Sequence, residues 1–299
     1  MPDAPARDDC RFTADDSLDH AVQRGASLLA KAGFPEPRRE ARKLVTAAAE
    51  IDAARLIATP ESALGAQAAI RLHEILKRRL EHEPLSRILG SREFFGRDFK
   101  LSSETLDPRP DTEVLIEAAK ELVIEEGWSG RPFRLLDIGT GTGILAITML
   151  AECPNATAVA TDISARALAT ARSNAERLGV VDRIQFLEAR SLEGIAGSFD
   201  LLMSNPPYIV SADIETLDAE VRLHDPVAAL DGGPDGLHVY REIVAGLPHV
   251  VPQGWAVFEV GAGQTSEVVG LLNGQEVWEI RTWKDLGNHT RCVAGRTQF

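Results

Sequence analysis

Leu135-Leu136-Asp137-Ile138-Gly139-Thr140-Gly141-Thr142-Gly143 is the stretch that decides how this chain folds. An apolar run closing on an acid reads as a buried strand, and the glycines after it read as a sharp turn into a helix. Glycine has no Cβ, so the backbone can bend tightly there and approach a ligand closely. A strand over 133–138 leading through such a turn to a helix over 143–151 is the repeating unit of an α/β fold.

The flanking segments extend the pattern. Their periodicity predicts a helix over 112–125, a strand over 157–161, a helix over 164–178 and strands over 183–188 and 199–204. Trp255 to Val260 reads as a further strand, Gln264 to Leu272 as a helix, and 277–282 with 290–296 as a terminal antiparallel pair. Such alternation implies a mostly parallel sheet with helices on both faces. Upstream, Arg92 to Ser103 (REFFGRDFKLSS) alternates aromatic and polar positions about Gly96, the pattern of a β-hairpin. Residues 17 to about 82 read as helices. Ala21, Leu28, Leu29 and Ala32 form one stripe before Gly33. Pro37 opens a segment with Ala41, Leu44, Val45 and Ala48, and Ile70, Leu72, Ile75, Leu76 and Leu80 mark a third. The expected division is a flexible tail (1–16), a helical bundle that docks a substrate (17–90), a hairpin linker (91–107) and an α/β domain (108–299).

Composition narrows the class. With 299 residues, 44% hydrophobic and 26% charged, the chain is balanced like a soluble globular protein. No apolar run approaches the roughly 18 residues that cross a bilayer. Met1 to Arg11 lacks the apolar stretch of a signal peptide, so the expected compartment is the cytoplasm, with no membrane partner. Cys10, Cys153 and Cys292 have no ligand spacing, and the histidines are scattered, so no metal is expected. Cys153 and Cys292 read as small core residues. A net charge of −13 weighs against direct nucleic-acid binding, which draws on cations that neutralise phosphates. Lys77, Arg78 and Arg79 read as a solvated helix face.

Three strand ends describe one pocket. Asp137 precedes the glycines, placed to attract an ammonium group, and the spacing of Gly139, Gly141 and Gly143 is not the GxGxxG that seats a pyrophosphate. The next strand closes on Asp162, an acid able to accept both hydroxyls of a ribose. The strand after it ends at Glu188-Ala189-Arg190, beside where an adenine would lie. Together they outline a site for S-adenosyl-L-methionine at the carboxyl edge of the sheet, with Thr140 and Thr142 completing the loop. A dinucleotide site of the same topology is the alternative.

Asn205-Pro206-Pro207-Tyr208 follows the strand at 199–204. Two prolines cannot continue a central strand, so the chain leaves the sheet in a stiff loop. An amide nitrogen is a poor nucleophile because its lone pair is delocalised into the carbonyl. The Asn205 side-chain oxygen and the Pro206 carbonyl can accept both N–H bonds of a –CONH2 group and fix its nitrogen toward a sulfonium methyl. Tyr208 is expected as a wall for a planar amide or base. No general base need act first, because the proton can leave after transfer.

These motifs resemble those of the release-factor glutamine methyltransferase (PrmC/HemK) family, along essentially the whole chain. The resemblance includes Glu83-Pro84-Leu85, Arg92-Glu93-Phe94-Phe95, Pro108-Arg109-Pro110-Asp111-Thr112-Glu113, Asp137 to Gly143, Asn205 to Tyr208, and Asp225-Pro226 leading to Leu230. It implies a class I, Rossmann-like methyltransferase sheet with a smaller N-terminal helical domain. It implies that loop 139–143 and Asp162 bind S-adenosyl-L-methionine, giving S-adenosyl-L-homocysteine. Asn205 would touch both cofactor and substrate, and Asn205 to Tyr208 would hold the glutamine. The implied partner is the GGQ loop of peptide chain release factors, methylated at N5 by a monomer. Two positions depart from the pattern. Ala189-Arg190 stands where an acid and an aromatic are common, leaving Arg190 to stack on the adenine and Glu188 to read its amino group. Asp107 replaces a commonly apolar residue.

Other positions stay open. Arg109, Asp111 and Glu113 either line the cleft or simply start a helix at Pro110. Gly232-Gly233-Pro234-Asp235-Gly236 reads as a flexible turn beside the substrate loop, and Glu259 as a surface carboxylate near a strand end. The competing activities are methylation of a ribosomal-protein glutamine or of an adenine amino group, and a non-catalytic binding module on the same fold.

Overall fold

The computed structural model describes residues 11–275 and 277–299. They fall into two units divided after Gly90. The first is all-helical: α1 (Leu18–Lys31), α2 (Pro37–Ala49), α3 (Ala53–Ala58), α4 (Ala66–Leu80) and α5 (Leu85–Leu89). Ser17 and Asp52 cap α1 and α3 by accepting from His20 N and Arg55 N, and Pro37 sits in the first turn of α2. Leu29, Leu44, Leu72 and Leu76 fill the core. Ile70 is exposed, because the stripe of α4 runs through Ala69, Leu72 and Leu76 instead. Arg79 is likewise not on a solvated face. It is buried, pairs with Glu40 at 2.6 Å and stacks over Phe34 at 4.0 Å. Of the expected tail, residues 1–10, including Cys10, lie outside the described residues. The rest is tied down: Thr13 N donates to Asp16 Oδ2 at 2.8 Å, and Phe12 packs on the core.

The second unit opens with the hairpin β1 (Ser91–Phe94) and β2 (Arg97–Lys100). It continues α6 (Glu113–Glu125), β3 (Phe133–Ile138), α7 (Ile144–Glu152), β4 (Ala156–Asp162), α8 (Ala165–Arg177), β5 (Ile184–Glu188) and β6 (Leu201–Ser204). It closes with α9 (Ala219–His224), α10 (His238–Val250), β7 (Gln253–Glu259), α11 (Thr265–Gly274), β8 (Glu279–Lys284) and β9 (Thr290–Gln298). The main sheet runs β5-β4-β3-β6-β7-β9-β8. Its pairings are parallel from β5 to β7, and β9 is antiparallel to both neighbours. Side chains alternate between two cores. Leu135, Leu201, Met203 and Val257 meet α6 and α7, whereas Leu136, Ile138, Leu202 and Phe258 meet α10 and α11. No described helix is long and apolar enough to cross a membrane.

Several elements depart from the sequence reading, which named neither α5 nor α9. The hairpin is part of the second unit rather than a linker, since Phe94 and Phe99 are buried in the core beside α6 and α7. Helix α10 is additional. Pro248 lies inside it, a residue that normally argues against helix, yet near the C-terminal end it disrupts little.

Strand order reverses between β3 and β6: the chain passes outward through β4 and β5, then returns to the other side of β3. The crevice at that switch point is where such sheets bind ligands. One buried side chain ties the hairpin to it. Asn174 donates from Nδ2 to the carbonyls of Lys100 and Thr142 and accepts from Lys100 N at 2.8 Å. Replacing Asn174 by Ala strands these buried groups, so the variant is expected to lose about 2–4 kcal/mol of stability. Chemical denaturation of the variant checks this; an unchanged unfolding midpoint would contradict it.

Candidate active site

At the switch point the second unit encloses a cavity of ≈ 760 Å³, the size of a small-molecule site. The loop after β3 forms its floor. Gly139 and Gly141 have φ of +71° and +55°, and a Cβ on either would meet nothing within 4 Å. These glycines turn the chain and leave bare backbone facing the cavity, alongside Thr140 and Thr142. Gly143 serves packing instead: a Cβ there would lie 2.5 Å from Ile147 Cδ1, and it does not line the cavity.

Asp137 lies beneath this loop rather than at its surface. It is fully buried, and Oδ2 accepts from Thr140 Oγ1 at 2.6 Å and from Ala146 N at 3.2 Å in the first turn of α7. It thus caps that helix from a distance. Its Oδ1 has no hydrogen-bond partner among the described residues, and burial pushes the carboxyl up to about 7. Asp162 does line the cavity. Its oxygens accept from Gly141 N and Ser164 N, both at 2.9 Å, and burial raises it also. Each oxygen keeps lone-pair capacity for a ligand hydroxyl.

Arg190 reaches the cavity already engaged, at 3.0 Å from Glu242 Oε1 and 3.1 Å from His238 Nε2. Glu188 does not line it. Both partners of Arg190 belong to α10, so this end of the pocket was not visible without that helix.

Ser204 Oγ donates to Ile138 O at 2.8 Å and pins the end of β6 to β3. The chain then leaves the sheet through Asn205, Pro206 and Pro207, which line the same cavity as the glycine loop. Asn205 Nδ2 is 3.5 Å from Thr112 Oγ1. Among the described residues, none donates a hydrogen bond to Asn205 Oδ1 or to the Pro206 carbonyl. Tyr208 is not the expected wall. It packs on the core around α10 and α11, outside the cavity lining, and burial pushes its phenol up to about 12.

The remaining candidates also separate. Arg109 lines the cavity and pairs with buried Asp225 at 2.8 Å, while Asp107 N donates to the same carboxylate. Asp111 pairs with Arg291 at 3.0 Å, and Glu113 accepts from Phe95 N at the hairpin turn. The glycine-rich turn is braced rather than flexible. Gly232 N donates to Ile209 O, Ser211 N donates to Gly233 O, and a Cβ on Gly232 would lie 2.8 Å from Pro207 O. Glu259 is not at the surface: it is 3% exposed and pushed up to about 7 by burial.

Residues 20–90 match the PrmC N-terminal domain, and residues 105–233 match the methyltransferase small domain. The chain is 42% identical over 282 residues to the release factor glutamine methyltransferase of Bradyrhizobium diazoefficiens, covering 94% of this chain and 95% of that one. It is 41% identical to the enzyme of the same name from Cereibacter sphaeroides, at 95% and 98% coverage. This chain belongs to the release factor glutamine methyltransferase family. Its fold is also that of the hMettl16 catalytic domain solved with a MAT2A 3′UTR hairpin, with a TM-score of 0.57 at 16% identity, covering 76% and 82% of the two chains.

The buried acids give a pH signature. Asp137 holds its proton to about 7 when folded and loses it near 3.8 when unfolded; Glu259 behaves alike from 4.5. Across that window the folded state binds more protons, so these two groups make stability fall as pH rises. Asp137→Asn should flatten the fall on the order of a few kcal/mol. Denaturation midpoints of the ligand-free protein between pH 4.5 and 7 test this; an identical slope in the variant would contradict it.

Proposed function

We propose that this chain transfers the methyl group of S-adenosyl-L-methionine to the side-chain amide nitrogen, N5, of the glutamine in the GGQ motif of peptide chain release factors. The observation that carries the reading is the pair of uncommitted acceptors, Asn205 Oδ1 and the Pro206 carbonyl, in residues that line the same cavity as the glycine loop. A primary amide has two N–H donors, and two fixed acceptors define both its position and the direction of its nitrogen lone pair.

The residues present fit the methyl donor. Gly139 to Thr142 leave room for its chain against bare backbone, Asp162 would take the ribose hydroxyls, and Arg190, held by Glu242 and His238, would flank the adenine. When bound, S-adenosylmethionine supplies a methyl carbon made electrophilic by its sulfonium. Asn205 and Pro206 would stabilise the positive charge that grows on the amide nitrogen by accepting from its two hydrogens. Pro207 lines the cavity beside them. The surplus proton leaves after transfer, so no residue serves as an initial base. Tyr208 and Asp137 act from behind, bracing the substrate loop and the glycine loop. The reaction belongs in the cytoplasm, where release factors work.

Labelled S-adenosylmethionine, incubated with the purified chain and a release factor, should label the GGQ form and not a GGA form. Equal labelling of both would reject the glutamine assignment. Labelling of ribosomal protein or DNA alone would replace it. Asn205→Ala should lower turnover by about 10²–10³ while donor affinity, measured by calorimetry, falls less. Unchanged turnover would remove Asn205 from the mechanism.

A further inference from the structure

Behind the amide clamp sits a carboxylate that the reaction described above does not use. Strands β6 and β7 run in parallel register with Ser204 beside Phe258, so Asn205, the first residue past β6, comes level with Glu259, the last residue of β7, which still pairs with Cys292 of β9. Glu259 is buried at 3% exposure, with its own carbonyl fixed by the Tyr240 hydroxyl at 2.6 Å. Its side chain faces the Thr112 hydroxyl and the Asn205 amide. The contacts are loose: among the described residues Oε2 has no hydrogen-bond partner, and Asn205 Nδ2 stands 3.5 Å from Thr112 Oγ1. Catalytic hydrogen bonds often have this length before a ligand arrives.

A carboxamide can present either oxygen or nitrogen, and the two ends have the same shape. If Asn205 turned its NH2 toward the substrate, donor would meet donor and the clamp would fail. A carboxylate accepts only, so it selects the Asn205 nitrogen and leaves the oxygen free. We infer that Glu259 is a positioning residue that locks the Asn205 carboxamide with Oδ1 toward the substrate amide. A buried carboxylate is costly to ionise, and the groups around Glu259 divide on this point. Arg291 favours its charge and Asp111 opposes it, while Tyr208, Tyr240 and Cys292 stand near enough to feel it. At a pH above 7 the acceptor form prevails.

This inference rests on the glutamine-methylation reading, and a polarity swap separates the two. Glu259→Gln keeps shape but offers an NH2 to Asn205. Its kcat should fall by about 10²-fold, the loss typical of a misplaced reacting group, with donor affinity unchanged. Adding Asn205→Asp restores one acceptor on each side: the introduced carboxylate accepts from the introduced carboxamide and turns its second oxygen to the substrate. The double variant, equal in net charge to the wild type, should recover at least about tenfold over Glu259→Gln. Full kcat in Glu259→Gln, loss of its donor binding, or a double variant no faster than the slower single would overturn the inference while leaving the reading intact. A wild-type chain that methylates no glutamine would overturn both.

Discussion

Proline has no backbone N–H, so the parallel ladder through β6 has to end where Asn205-Pro206-Pro207 begins. That constraint places the chain's exit at the carboxyl edge of the sheet, beside the switch point between β3 and β6. The Ser204 hydroxyl on Ile138 O fixes the exit laterally. Asn205, Pro206 and Pro207 then line the cavity together with the backbone of the glycine loop. The two prolines keep this part of the lining stiff. The turn around Gly232 adds to it by packing directly on the Pro207 carbonyl.

The same edge concentrates three desolvated acids, Asp137, Asp162 and Glu259. Burial pushes each toward its neutral form, and Asp137 and Asp162 are each held by two donors. Perturbed acids gathered in one cleft mark a site arranged for ligands rather than for stability. Asp162 is positioned to meet a ligand. Asp137 and Glu259 each hold one element that does, the glycine loop and Asn205 respectively.

Much of this was legible in the chain. The alternation from Phe133 to Ser204 placed the strands within one or two residues, because both faces of a parallel sheet are covered and its apolar runs are unmistakable. Gly139, Gly141, Asp162 and Asn205 were recognisable from type and position. Side-chain direction was not. Tyr208 packs on the core around α10 and α11, and Asp137 turns under its loop to meet the start of α7. Helix α10 was masked by Pro248, and with it went Glu242 and His238. Glu259 was unreadable for a different reason: its partner lies 54 positions away in sequence, and only the β6–β7 register brings them together.

The direction of one carboxamide decides whether the clamp works. A structure of the enzyme with S-adenosylhomocysteine and a glutamine-bearing release factor would show it directly. The substrate nitrogen should lie about 2.7–3.2 Å from both Asn205 Oδ1 and the Pro206 carbonyl, with Asn205 Nδ2 turned to Glu259. A glutamine seated elsewhere in the cavity, or an Asn205 whose nitrogen faces the substrate, would contradict it.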